Sequence, residues 1–294
     1  MILSVKNLKK NYRKQAVLKG VNIEIDSPKI IALVGPNGSG KTTLFNCITN
    51  LISINEGTIK VLGKKHTDST IFKEIAYLQD NRVLYGNLTA HDHLKFVCDV
   101  QNLPRTKIKE VVDRVGMATY LNKRVNSFSL GMKQHLLLAI VLLNDPKLLL
   151  LDEPLNGLDP TSALNMRKIL LELAEKDTSI IISSHNLDEV DRLTNTIYFM
   201  KDGEILEESL EDFIAKEYFM NVSDLEKAKE ILREKEVPFS IYNNEQINFV
   251  DTDIDIQTVI NYLNEKGLTI KDIEHERIGA ERRYQELFER VKDL

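Results

Sequence analysis

An α/β core followed by a smaller α+β segment is the fold class this sequence predicts, and three observations point to it. Short apolar runs without alternation, Ile30 to Val34, Leu148 to Leu151 and Ile180 to Ile182, suit strands buried on both faces of a parallel sheet. Helical patterns such as Leu136 to Leu143 and Ala163 to Ala174 lie between them, which places helices over that sheet. After residue 205 the periodicity changes to an alternation of short strands and amphipathic helices, so two domains are expected, 1–205 and 206–294. The length of 294 residues agrees, since one domain ordinarily takes ~100–200 residues.

Composition narrows the class further. Hydrophobic residues make up 43% and charged residues 28%, a mix that fits neither a disordered chain nor a membrane-embedded one. The longest apolar run, Leu136 to Leu143, is eight residues, far short of the ~18 a spanning helix needs. Charge follows the short apolar stretch of MILSVKNLKK, unlike a secretory signal, so a cytoplasmic protein is expected. Cys47 and Cys98 have no partner at metal-ligand spacing and read as buried reduced thiols. Residues 1–205 carry 27 Lys and Arg against 22 Asp and Glu, whereas residues 206–294 carry 12 against 22. So acidic a C-terminal segment argues against a nucleic-acid clamp, which draws its affinity from basic side chains on phosphates.

Taken in order, the first strand of the core ends at Val34 and gives way to Gly35-Pro36-Asn37-Gly38-Ser39-Gly40-Lys41-Thr42-Thr43, then to the helical run Leu44, Phe45, Cys47, Ile48. The second ends in Asp152-Glu153-Pro154 and the third in Ser183-Ser184-His185. Tyr198 to Ile205 reads as two strands joined at Asp202-Gly203, a strong hairpin dipeptide. In the second domain, Ser223-Asp224-Leu225-Glu226 has the form of a capping box, opening a helix with Leu225, Ala228, Ile231 and Leu232 on one face. Phe239 and Ile241 alternate with polar neighbours, as do Ile247 and Phe249 beyond a turn at Asn243-Asn244. Ile256, Val259, Ile260 and Leu263 mark a second helix that stops at Gly267. With strands at Tyr218 to Val222 and Leu268 to Ile273, the order β-α-β-β-α-β permits a ferredoxin-like split. Tyr284, Leu287, Phe288 and Val291 predict a last helix with an apolar face to dock.

Gly35 to Thr42 matches G-x-x-x-x-G-K-[ST] in its proper strand-and-helix context. The glycines let successive N–H groups, from Asn37, Gly38, Ser39 and Gly40 to Lys41, Thr42 and Thr43, converge on one concavity beside a helix N-terminus. Phosphate oxygens fit there, with Lys41 reaching the β- and γ-phosphates and the Thr42 hydroxyl on Mg²⁺. Asp152, at the end of an apolar strand, is placed to hold the magnesium shell. Glu153 beside it could orient and polarise an attacking water, although Asp-Glu after four leucines would by itself also suit a polar strand terminus.

Phe128-Ser129-Leu130-Gly131-Met132-Lys133-Gln134, lying 23 residues before the Asp152 element when counted from Ser129, resembles the signature motif of ATP-binding cassette (ABC) proteins. The resemblance covers residues 2–205, with the motifs in family order. It implies a P-loop NTPase domain of ABC type with an antiparallel β subdomain and a helical signature subdomain. It further implies two copies facing head to tail around ATP, Ser129 and the Gly131 amide closing over the γ-phosphate that the partner's loop holds. Family positions carry over one by one: Tyr12 as the aromatic stacking on adenine, Gln79 as the glutamine touching Mg²⁺ or the water, Asp159 as the residue crossing the dimer interface, and His185 as the histidine on the γ-phosphate. A strand-end tyrosine and a loop amide are the plain alternatives for Tyr12 and Gln79. No role falls to His66, His91, His93, His135 or His275.

Three positions depart from the family pattern: Leu130 stands for a glycine, Met132 for a glutamine and His135 for an arginine. Ser-Leu-Gly-Met-Lys-Gln is similar to a bacterial subgroup that energises exporters of drugs, antimicrobial peptides or other hydrophobic compounds, often with an extra C-terminal α+β segment. The expected function is therefore the ATP-hydrolysing subunit of a transporter. It would sit on the cytoplasmic face of the plasma membrane through a separate permease, which docks on the stretch from Asn81 through Tyr85 to Phe96, with Leu84 and Tyr85 expected as exposed apolar groups. The alternatives are a soluble cassette ATPase acting on nucleic acid or in translation, disfavoured by a single P-loop and no heptad run, and a non-catalytic scaffold, disfavoured by intact Lys41, Asp152, Glu153 and His185.

Overall fold

Burial on both faces commits the non-alternating runs to strands: every residue of Ile30 to Val34 and of Leu148 to Leu151 is buried. The structure is a computed structural model that describes residues 1–13, 15–210, 216–251, 254–277 and 279–288. It divides into two compact units, Met1–Glu208 and Ser209–Leu294.

The first unit contains, in chain order, β1 (Leu3–Tyr12), β2 (Gln15–Ile25), β3 (Ile30–Val34), α1 (Lys41–Ile48), β4 (Glu56–Val61), β5 (Lys64–Lys65), β6 (Ile75–Leu78), α2 (Ala90–Gln101), α3 (Thr106–Val115), α4 (Leu130–Leu142), β7 (Leu148–Asp152), α5 (Pro160–Ala174), β8 (Ser179–Ser184), α6 (Leu187–Asp191), β9 (Thr196–Lys201) and β10 (Glu204–Ser209). Six strands form one sheet in the order β10-β9-β3-β8-β7-β6, and β3, β6, β7, β8 and β9 pair in parallel. Parallel register aligns Val34 with Ser184, Asp152 with Ser183, and Leu78 with Leu151. Gly35, His185, Glu153 and Gln79 therefore leave the sheet along one carboxyl edge, the edge at which open α/β sheets bind ligands.

A second sheet, β2-β1-β4-β5, is antiparallel and irregular in register along β1. Leu3, Val5 and Leu8 of β1 and Val21, Ile23 and Ile25 of β2 share one core with Ile31, Leu33, Phe45 and Tyr198. Each such side chain contributes roughly 1.5–3 kcal/mol on burial, so the sheet is clamped to the platform that carries the loop. Helix α4 opens at Ser129, whose side chain accepts from the Met132 amide at 3.2 Å, and runs against β6 and α2.

The second unit contains β11 (Lys216–Val222), α7 (Leu225–Glu234), β12 (Ser240–Tyr242), β13 (Gln246–Asp251), α8 (Ile256–Glu265), β14 (Ile270–Arg277) and α9 (Ala280–Phe288). Its sheet, β12-β13-β11-β14, is antiparallel throughout, the arrangement of two interleaved split β-α-β units. Met220, Leu232, Ile247, Phe249, Val259 and Leu263 form its core. The capping box expected at Ser223 does not form. Asp224 is the N-cap of α7, accepting from the Lys227 amide at 3.1 Å, because Thr269, just before β14, takes Ser223: the Ser223 hydroxyl accepts from the Thr269 amide at 3.1 Å and the Ser223 amide donates to the Thr269 carbonyl at 2.9 Å. Helix α9 ties back to β11 through Arg282 and Glu217 at 2.7 Å, and Val291, expected on its apolar face, lies outside the described residues.

Candidate active site

Lys41 is buried at the first turn of α1, its ammonium donating to the carbonyls of Gly35 at 2.7 Å and Pro36 at 3.3 Å. Burial lowers its pKa, while the charges of Glu153 and Asp152 raise it. Gly40, at φ +114°, is the residue at which the loop turns into the helix, and a Cβ there would also crowd Val17 and Leu18 at 3.1 and 3.2 Å. Asn37, Gly38, Gly40, Thr42 and Thr43 line a cavity of about 290 Å³ with Lys41, Asp152 and Glu153.

Asp152 closes β7 and is bound on both sides: the Thr42 hydroxyl donates to Oδ2 at 2.7 Å and the Ser183 hydroxyl to Oδ1 at 2.6 Å. Glu153 follows with φ +50°, a left-handed conformation uncommon outside glycine, and the Ser183 hydroxyl accepts its amide proton at 3.0 Å. Its Oε2 meets His185 Nδ1 at 2.8 Å. One chain of contacts thus runs from Thr42 through Asp152 and Ser183 to Glu153 and His185. Gln79 joins from the end of β6, lining a second cavity of about 560 Å³ with Thr42, Tyr77, Asp152, Glu153 and Asn156. Thr42, Asp152 and Gln79 each bring an oxygen donor to this second cavity, a set that fits a hard divalent cation such as Mg²⁺.

Three predicted residues stand apart from this chain in a group of their own. Ser129 caps α4, Gly131 sits in its first turn, and Asp159 caps α5, accepting from the Thr161 and Ser162 amides at 3.0 and 3.1 Å. A Cβ on Gly131 would lie 3.9 Å from Asp159 Oδ2, so the two helix starts adjoin. Hydrogen bonds from Ser162, side chain then backbone, lower the Asp159 pKa. Tyr12 is 46% exposed at the end of β1, with the Lys10 ammonium 5.2 Å from its ring centroid. Both cysteines are buried, and burial pushes the Cys47 thiol up to about 11.

Sequence reasoning overlooked three contributors. Ser183 was legible only as a strand end, yet it steers both Asp152 and Glu153; its one signal was a hydroxyl closing an isoleucine run. Tyr77 lines the cavity, and burial first, then the nearby Asp152 charge, raises the pKa of its hydroxyl. Gln134 reaches the same cavity from α4.

An apolar groove of about 530 Å³ adjoins the second cavity and shares Tyr77 and Gln79 with it. Val83, Leu84, Tyr85, Phe96, Leu137 and Val141 line it. Tyr85 is 66% and Phe96 64% exposed, whereas Leu84, expected to stand out, is half-buried in the groove wall. His93 pins this segment: its Nε2 accepts from the Tyr85 amide at 3.0 Å, and Nδ1 lies 2.8 Å from the Thr89 carbonyl.

The strand-loop-helix cradle, the acidic strand end and a second helix start carrying Ser129 define an ATP-hydrolysing cassette. Residues 18–156 match the family described as ABC transporter. The chain is 39% identical over 205 residues to the lantibiotic transport ATP-binding protein SrtF of Streptococcus pyogenes, covering 70% of this chain and 89% of that one. It is 34% identical over 285 residues to an uncharacterized ABC transporter ATP-binding protein, YcbN, of Bacillus subtilis (strain 168), covering 94% and 91%. Among solved structures, a dimeric post-hydrolysis ATP-binding cassette bound to ADP and Pi superposes with a TM-score of 0.65 at 25% identity, covering 71% of this chain and 99% of that one. The chain belongs to the ABC transporter family and is an ATP-binding, ATP-hydrolysing transporter subunit. No helix among the described residues is long and apolar enough to cross a membrane.

Proposed function

We propose that the Gly35–Thr43 loop and the Asp152–Glu153 strand end hydrolyse ATP, that two copies enclose the nucleotide head to tail, and that a separate permease seats in the apolar groove. The observation that carries this reading is the contact chain Thr42, Asp152, Ser183, Glu153, His185 at the carboxyl edge of one sheet. Tyr12 offers its exposed ring to the adenine, and the loop amides with Lys41 hold the β- and γ-phosphates. Mg²⁺, held by Thr42, Asp152 and Gln79, would supply neutralisation of phosphate charge when bound. Glu153 accepts a proton from the water whose oxygen attacks the γ-phosphorus; the bond to the β-phosphate oxygen breaks, and ADP leaves. His185 orients Glu153 in the free chain and turns to the γ-phosphate once ATP is bound. Ser129, Gly131 and Asp159 would face the nucleotide of the other copy, as the adjoining starts of α4 and α5 permit.

Residues 206–294 form an accessory domain in this reading, and the subunit works at the cytoplasmic face of the membrane. The lantibiotic transport relative favours an antimicrobial peptide, or a hydrophobic compound of similar character, as the exported substrate. Glu153→Gln is the test. ATP binding should persist, turnover should fall by ~10²–10⁴-fold, and MgATP should shift the variant to a dimer on size exclusion. Unchanged hydrolysis would remove Glu153 from its role, and a variant that stays monomeric even with its permease would remove the enclosed nucleotide.

A further inference from the structure

The cavity beside Asp152 and Glu153 holds a polar group that the reaction as described leaves idle. Gln134 is 6% exposed, lines that cavity, and its side-chain carbonyl oxygen Oε1 is buried without a hydrogen-bond partner. A buried acceptor without a donor opposes folding, so a residue of this kind calls for a reason. Leu130, Gln134, Leu137 and Val141 lie at i, i+4, i+7 and i+11 on α4 and form one stripe. Its first two members line the polar cavity and its last two the apolar groove. Apolar side chains would continue the stripe at no cost, yet an amide stands at the one position between groove and site.

Gln79 lines the same cavity. Helix α4 packs on β6, and Gln79 follows β6 directly. Gln79 lines both cavities, as does Tyr77, whose hydroxyl is already under the influence of Asp152. A side-chain amide carries its carbonyl and its NH₂ on opposite sides. If the Gln79 carbonyl turns toward the cation side of the cavity, its NH₂ turns away and needs an acceptor. We propose that Gln134 is a positioning residue for ATP hydrolysis: its carbonyl accepts a hydrogen bond from the Gln79 NH₂ in the nucleotide-bound chain and so sets which way the Gln79 amide faces.

This inference rests on the role given above to Gln79, and the experiment separates the two. In the full-length chain, Gln134→Met should lower kcat about tenfold, the worth of one buried hydrogen bond. Nucleotide affinity and KM should stay within about twofold, because the loop and Lys41 are untouched. The melting temperature of the nucleotide-free variant should equal or exceed that of the parent, since an unsatisfied acceptor is replaced by an apolar side chain of similar length. Gln79→Ala should slow turnover, and adding Gln134→Met to it should slow turnover no further. If Gln79→Ala is slow while Gln134→Met turns over normally, the inference fails and the site reading stands. A loss of kcat in Gln134→Met matched by a lower melting temperature also overturns it, as a packing defect. Normal turnover in Gln79→Ala removes the role of Gln79 and this inference with it.

Discussion

The cavity of Gln79, Asp152 and Glu153 and the apolar groove share Tyr77 and Gln79, and they are built by opposite means. The cavity has a polar wall whose two carboxylates, at the end of β7, are held by neighbours: Thr42 and Ser183 on Asp152, His185 on Glu153. The groove is lined by large apolar groups, and its outermost rings, Tyr85 and Phe96, stand mostly in solvent. Chemistry at the first depends on preorganised donors and charges; recognition at the second depends on area removed from water. Because both touch Gln79, a permease seated in the groove as proposed would lie a single side chain away from the proposed cation site.

That contrast can be broken most forcefully at the groove. Tyr85→Ser combined with Phe96→Ser should weaken capture of the permease in detergent pull-down by about 30-fold or more, as loss of a central aromatic anchor does, while the free chain hydrolyses ATP within about twofold of the parent. Equal loss of intrinsic turnover would show that groove and cavity are one structural unit. A smaller effect is expected from truncation after Glu208. Nucleotide affinity, read by fluorescence of a labelled ATP analogue, should stay within about twofold, because all the residues of the contact chain lie in residues 1–208. Collapse of the truncated chain would contradict the independence of the first unit.

The smallest effect concerns His135, on α4 beside the groove stripe. Its Nδ1 lies 2.7 Å from the Tyr120 hydroxyl, burial lowers its pKa below the ordinary 6.5, and the charge of Asp159 only partly offsets this. The folded state thus binds fewer protons than the unfolded one between the folded pKa and 6.5. Stability should fall as the pH drops from about 6.5 through the folded value, and His135→Gln should flatten that dependence in thermal melts across the same window. A pH dependence identical to the parent's would place the sensitivity elsewhere, with His66, lowered by burial as well, the next group to vary.

Much of the core was legible because its signals are local. Ile30 to Val34 reads as a doubly buried strand, and the glycine loop that follows is spelled out in consecutive residues. The capping box at Ser223 illustrates the limit: the local pattern was sound, but Thr269, 46 residues away, claimed the hydroxyl. Leu84 illustrates another, since exposure of an apolar residue in a loop depends on what the neighbouring helix covers.

The amino-acid order alone determined the phosphate loop, the acidic strand end, the signature helix start and the two-part organisation, since backbone bending, dipoles and apolar periodicity act over a few residues. Tertiary structure decided which of these meet. Thr42 and Asp152 are 110 residues apart and touch only because β3, β8 and β7 adopt parallel register. Ser183 and Gln134 became part of the site the same way, through packing across the sheet edge that no stretch of sequence records.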